Sequence, residues 1–346
     1  MIVDANMYWF DEDIFENNDL AKEFLNDIVE NSDYYGYLEN VDENTKQIVI
    51  EKPKGYQNLN YIQREYTLEH QIAMLDKAKV DKAILKMPGC NEWLTLKMCK
   101  LFNDKMWEYH IKSNRRLVPL ATITPVSNIE VYEELDRIKK IGFTGIQLAA
   151  HYKDKYLDDK VFRGFFEKVH ELDLTVYVHH TPLPVDYNSF LDYNTLRRSF
   201  GRCADQILAI SREVNSDLFK ELPNLRFVHS MLGGGYFAFK DLFKPRPNPT
   251  EKVNRFATSN ENVNYIEKNI YFELSHSIPW GKDQLESAVK ILKSDKIIFG
   301  SSYPVKEQWL VDGVEYINNL NISSEDKENI LGKNALSIYK IGDTNE

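Results

Sequence analysis

The chain has 346 residues, with 43 Lys and Arg against 53 Asp and Glu and a formal net charge of −10. That length buries an ample core as one large domain or two modest ones. The acidic balance, with cations scattered instead of blocked, excludes nucleic acid and anionic membrane surfaces as expected partners, and the longest apolar runs fall far short of the roughly 20 residues of a membrane helix.

In chain order, β-rich runs alternate with helical segments. MIVDAN (1–6) is followed by an acidic stretch rich in Asn and Tyr, about 11–66, whose KQIVIEKPKG reads as a short hairpin or an irregular excursion. That stretch breaks the rhythm and is taken as an insertion after strand one. The rhythm resumes with KAILKM (82–87), LVPLATITP (117–125), TGIQLAA (144–150), LTVYVHH (174–180), LRFVHSM (225–231), NIYFELS (269–275) and KIIFGSS (296–302). Between them, NIEVYEELDRIKKIG (128–142) and DDKVFRGFFEKVHELD (158–173) repeat apolar residues at three and four, the helical period. Eight strands alternating with helices predict an α/β fold, a (β/α)8 TIM barrel. Parallel crossovers need helices, and continuous Val/Ile/Leu runs mark strands buried on both faces. The expected organisation is one domain over 1–346, with the insertion over the barrel mouth and long loops after strands five (181–203) and six (233–262). The closing NISSEDKENILGKNALSIYKI opens on a Ser-x-x-Asp capping pattern and continues as a helix interrupted near Gly332.

Three cysteines, Cys90, Cys99 and Cys203, make an odd number without Cys-x-x-Cys spacing, and no signal-peptide pattern precedes the first strand. A reducing, cytoplasmic setting is expected.

Side chains at the carboxyl ends of barrel strands face the active site. Those ends carry Asn6 and Tyr8, His151, His179 and His180, His229 and Met231, Glu273 and His276, then Ser301 and Ser302. Five of the eight histidines therefore fall on one predicted face, which marks it as the functional one. Alternation along a strand predicts that one of His179 and His180 turns away from the axis. Arg197 and Arg198 could reach over the pocket to grip a carboxylate, or belong to an exposed basic patch. Trp280, like Trp93 and Trp309, could wall the pocket or sit in the core. Gly233-Gly234-Gly235 lacks the Lys-Ser/Thr of a phosphate loop and reads as tight backbone packing.

These segments together resemble a family. IVDAN at the start, GFTGIQLAA, VYVHH, PNLRFVHSMLGGGYF, NIYFELS, KIIFGSSYP and the closing ILGKNA are similar to the amidohydrolase-related proteins, the branch that includes aminocarboxymuconate-semialdehyde decarboxylase and related aromatic-acid decarboxylases, hydratases and lactonases. The resemblance implies hydrolysis or carbon–carbon bond cleavage on a small carboxylated or aromatic substrate. It also implies a divalent metal held by a His-x-His pair ending strand one, a His ending strand five, often a His beside the strand-six glycines, and an Asp ending strand eight. On this chain the strand-one pair falls on Asn6 and Tyr8, the strand-five His on His179 or His180, the position near the glycines on Met231, with His229 the nearest imidazole, and the Asp on Ser302.

Asn, Tyr, Met and Ser are poor substitutes for such ligands, so the expectation is an enzyme without the family's metal. His179, His180 and His229, with Tyr8 and Ser302, are expected to carry catalysis, since imidazoles titrate near working pH and a tyrosine hydroxyl can donate to a developing oxyanion. Asn6, His151, Glu273, His276, Arg197, Arg198 and Trp280 are expected to bind substrate. Two alternatives stay open: an inactive barrel that binds or regulates, and a relocated zinc site built from the histidines. The expected partner is a small molecule, with homo-oligomerisation possible.

Overall fold

The computed structural model describes residues 1–89, 92–191, 196–243 and 265–342; Cys90 and most of the long connection after strand six lie outside the described residues. The chain opens with β1 (Val3–Tyr8), every residue of which is buried. The following stretch is more ordered than its composition suggests. It holds helices Asp13–Glu16 and Asn18–Asn31 and an antiparallel sheet of β2 (Tyr35–Asp42), β3 (Thr45–Glu51) and β4 (Gln57–Ile62) in that order. Ile48, Val49, Ile50 and Tyr61 of this sheet are buried, so apolar packing holds an element that acidic composition alone read as irregular.

Then come β5 (Lys82–Lys86), β6 (Leu117–Pro119), β7 (Ala121–Thr122), β8 (Gly145–Ala149), a two-stranded hairpin of β9 (His151–Tyr152) and β10 (Lys155–Tyr156), β11 (Thr175–His179), β12 (Phe227–His229), β13 (Ile270–Glu273) and β14 (Ile297–Ile298). Helices Leu96–Lys112, Ile129–Ile141, Arg163–Glu171, Arg202–Asn215 and Lys282–Leu292 alternate with them. Thr95 and Asn128 cap two of these by accepting from backbone N–H groups of the first turn. The Ser323–Asp326 capping box forms as expected, and the helix it starts changes pitch over Asn329–Lys333, around Gly332.

Two all-parallel sheets result, one in the order β1-β5-β6 and one in the order β7-β8-β11-β12-β13-β14. They meet at both edges. Leu120 alone separates β6 from β7, and its N–H donates to Leu85 O at 3.0 Å. At the other edge Ala5 N–H donates to Phe299 O (2.9 Å), Ser302 N–H to Asn6 O (2.8 Å) and Tyr8 N–H to Tyr303 O (2.7 Å). One apolar cluster, Val3, Ala5, Ile84, Val118, Leu120, Tyr177, Val228 and Ile298, gathers residues from both sheets and packs on Ala335, Ile338 and Tyr339 of the C-terminal helix. The larger cluster lies between strands and surrounding helices.

The register of β1 on β5 slips between Asp4↔Ala83 and Met7↔Leu85, so β1 carries one extra residue there. Such a bulge switches which side chains share a face. Val3 and Ala5 belong to the inner cluster, yet Asn6 and Tyr8 also turn inward.

Candidate active site

A small cavity of about 40 Å³ opens at the carboxyl ends of the strands, lined by Tyr8, His179, His180, Arg198, Arg202 and, from the β2–β4 segment, Lys52 and Asn58, with Pro88, Gly89, Pro182 and Val305 completing the wall. Tyr8 Oη lies 3.0 Å from His179 Nε2. His179 Nδ1 lies 2.7 Å from the carbonyl oxygen of His180. A carbonyl only accepts, so the proton sits on Nδ1, and Nε2 is left to accept from the Tyr8 hydroxyl. Burial, reinforced by Lys86, holds His179 well below the ordinary imidazole range, so the ring is neutral. Burial pushes Tyr8 up to about 12, which keeps its proton in place at neutral pH.

Both histidines of the pair face the cavity. The rings stack with centroids 4.2 Å apart, and His180 Nδ1 lies 3.1 Å from Ser230 Oγ. The expectation that one turns away fails because β11 ends at His179, and beyond the last ladder residue alternation no longer applies. Gly89 passes directly over His179. Its φ is +68°, and a Cβ there would stand 3.0 Å from Cε1 of the ring.

Beneath the pocket lies a buried polar layer. Asn6 Nδ2 donates to Glu273 Oε2 and Ser302 Oγ, both at 3.0 Å, and Tyr177 Oη donates to Glu273 Oε2 at 2.8 Å. Lys86, fully buried, donates to Ala5 O at 3.0 Å and stands 3.4 Å above the centre of the Tyr177 ring. Burial brings its amine down to about 7, against the attraction of Glu273 and Asp4. Burial raises the carboxyl of Glu273 above its usual range, opposed by Lys86.

Other expected site residues lie elsewhere. His229 points to the outer side of β12, with Nδ1 2.8 Å from Gln206 Oε1 and Nε2 2.8 Å from Glu213 Oε2 of helix Arg202–Asn215. Its neighbour Val228 takes the inner face. His151 sits in the β9–β10 hairpin, 2.8 Å from Thr181 Oγ1. His276 stacks on Trp309 at 4.4 Å, and burial holds its imidazole down to about 4. Arg197 is buried and donates to the backbone carbonyls of Lys52 (2.8 Å) and Gln57 (2.7 Å), which fastens the β2–β4 sheet. Trp280 donates its indole N–H to Leu274 O at 3.1 Å. The glycine run packs tightly as expected, with a Cβ on Gly234 only 2.0 Å from Cys203 O. Lys52, Asn58, Lys86 and Arg202 were missed by the sequence reading. A lysine closing the apolar run KAILK and a third arginine in LRRSFGR were the available signals.

The class follows from comparison with known proteins. Residues 91–341 match the Amidohydrolase family, more than half of the chain, and the chain belongs to that family. It is 28% identical over 249 residues to the 2-amino-3-carboxymuconate-6-semialdehyde decarboxylase of Dictyostelium discoideum, a match covering 70% of this chain and spanning 66% of that relative's length. Among solved structures it shares its fold with 5-carboxyvanillate decarboxylase from Sphingomonas paucimobilis (TM-score 0.74, 17% identity, 99% of each chain). A second neighbour is 5-carboxyvanillate decarboxylase from Novosphingobium aromaticivorans, crystallised with manganese and 4-hydroxy-3-methoxy-5-nitrobenzoic acid (TM-score 0.74, 18% identity, 99% of this chain and 96% of that one).

That manganese corrects one expectation. A cofactor-free site was expected, but several decarboxylases of this fold have been crystallised with bound manganese. Asn6, Tyr8 and Ser302, on which the resemblance places the family's ligand positions, are not side chains that suit such a cation. Among the described residues no group of three or more His, Cys, Asp and Glu comes together as a cation site, so the histidines do not build a relocated one either. At the strand ends His179 Nε2 is already bonded to Tyr8, His180 Nδ1 lies against Ser230 Oγ, the Glu273 carboxylate accepts from Asn6 and Tyr177, and Asn6 Oδ1 is buried without a partner among the described residues.

Proposed function

We propose that the two sheets form one closed (β/α)8 barrel and that the chain is a decarboxylase of a small carboxylated aromatic or conjugated acid, working at the Tyr8–His179–His180 cavity. The observation that carries this reading is the hydroxyl of Tyr8 held 3.0 Å from a neutral His179 in a cavity with cationic walls. Decarboxylation breaks the bond to the carboxylate carbon, releases carbon dioxide and leaves an electron pair on the ring or chain carbon, which must gain a proton. Neutral His179 has its one N–H bonded to a backbone carbonyl, so the proton at hand is that of Tyr8. Tyr8 donates it to the carbon, Arg202 stands close enough to favour the resulting phenolate, and solvent water returns the proton. Burial keeps water sparse around the reacting carbon and strengthens these charges. Asn6, fixed by Glu273 and Ser302, supports the floor. The relatives' substrates, named for their carboxyl groups, support the same reaction class.

The test is carbon dioxide release from a panel of hydroxylated and carboxylated benzoates, run with and without added manganese. Turnover is expected with at least one, and Tyr8→Phe should lower kcat by about 10²-fold or more. Absence of carbon dioxide from every substrate under both conditions, or full activity of Tyr8→Phe, would overturn the proposal.

A further inference from the structure

Glu92, which grips Lys52 of the cavity wall, also belongs to a second and larger concavity, a groove of about 700 Å³. Its walls come from the end of helix Asn18–Asn31, the segment leading into β2, the β9–β10 hairpin and the connection after β11. Among the described residues five carboxylates, Glu30, Asp33, Glu92, Asp154 and Asp186, stand there against one lysine, Lys153. Among those residues no ion pair reaches Glu30, Asp33 or Asp186, and Asp154 has only Lys155 at 3.8 Å. Helix Asn18–Asn31 brings its carboxyl end here with no basic side chain in its last turn, so its dipole adds to the negative potential.

An exposed acidic cluster can be left to solvent, but Glu92 is not exposed. Its side chain is 9% accessible; Oε1 accepts from Lys52 Nζ at 2.8 Å, and Oε2 is buried with no partner among the described residues. Lys52 lines the cavity and not the groove, so Oε1 is taken from the cavity side and Oε2 is left toward the groove. A buried carboxylate oxygen without a donor is unfavourable. The surroundings already suit an ammonium group. That of Lys52 stands 4.5 Å from the centre of the Trp93 ring and 5.3 Å from that of Tyr34, which itself lines the groove. Burial and the charges of Glu92, Asp205 and Asp33 push the Tyr34 hydroxyl up, so it keeps its proton.

We propose that the groove is a binding site for a linear aliphatic polyamine, one of whose ammonium groups binds the Glu92 carboxylate in competition with Lys52. A metal ion fits less well, because among the described residues no three His, Cys, Asp or Glu gather to hold one. The carboxylates instead come from separate segments, with Val29 and Val185 also on the wall, which matches charges spaced along an alkyl chain. Because Lys52 is part of the cavity wall, occupancy of one space is felt in the other. The site does not depend on the reaction assigned to the cavity.

The experiment is calorimetric titration of the full chain with spermidine, putrescine and magnesium. Spermidine should saturate a single site, more tightly than putrescine and at least about tenfold more tightly than magnesium. Glu92→Gln should weaken spermidine at least about tenfold, and Lys52→Met, which removes the internal competitor, should tighten it. Asp33→Asn combined with Asp186→Asn, both on exposed side chains, should also weaken it and decides the matter if Glu92→Gln does not fold. Magnesium binding as tightly as spermidine, unchanged spermidine affinity in Glu92→Gln or in the double variant, or no tightening in Lys52→Met would overturn the inference.

Discussion

Lys86 gives a sharp prediction about stability. Its amine is fully buried, held by one backbone carbonyl and the Tyr177 ring, with Glu273 and Asp4 nearby. In the unfolded chain a lysine titrates near about 10.4; here burial brings it down to about 7. Between those two values the unfolded state binds a proton that the native state does not. Stability must therefore rise with pH through this window and fall again toward pH 7. One pH unit inside the window is worth about 1.4 kcal/mol, so from pH 7.5 to 9.5 the group contributes an increase of about 3 kcal/mol. Lys86→Met lacks it. In that variant Glu273 also loses the cation that opposes its raised carboxyl, and a carboxyl held higher in the folded state makes stability decline as pH rises. Both effects widen the gap in the same direction. Reversible urea unfolding, followed by tryptophan fluorescence at the two pH values, measures it, because titrating groups away from Lys86 cancel between wild type and variant. Parallel stability-against-pH lines for the two proteins would refute the argument that this amine is the source.

Two further predictions follow from single contacts. Gly89→Ala places a methyl 3.0 Å from the His179 ring at a φ of +68°, so it should cost about 1–2 kcal/mol in backbone strain, read as a lower Tm, and should depress kcat by moving His179 off Tyr8. His229→Asn breaks a fully buried hydrogen bond with Glu213 and should destabilise by roughly 1–3 kcal/mol in chemical unfolding while leaving benzoate affinity unchanged. A changed affinity with unchanged stability would place His229 in the pocket instead of behind its strand.

Much of the architecture was legible because it rests on local pattern. Apolar runs such as KAILKM and LTVYVHH end one residue beyond β5 and β11, and the His179–His180 pair sits at the cavity as its strand-end position implied. The other histidines were grouped wrongly because a strand end fixes height along the axis and leaves facing open. Val228 faces inward, so His229 must face the helices, a one-residue difference that no count of strand ends detects. The bulge in β1 was hidden for a related reason. It exists only relative to the partner register, and without it Asn6 would follow Ala5 onto the opposite face. Lys52 and Asn58 were out of reach, since their place at the cavity depends on the tertiary packing of a sheet that sequence alone rendered as an excursion.

The buried fork of Arg197 has a consequence for any attempt to reshape this pocket. Its two bonds tie the carbonyls of Lys52 and Gln57 to a segment more than a hundred residues downstream, and Asn58 is held by Arg202 from the same segment. The β2–β4 sheet and the segment from Arg197 to Arg202 are therefore tied into one unit. Transplanting the β2–β4 sheet alone into a related scaffold would move two pocket walls without the staple that sets their height. Recombination between relatives should succeed only when both pieces travel together.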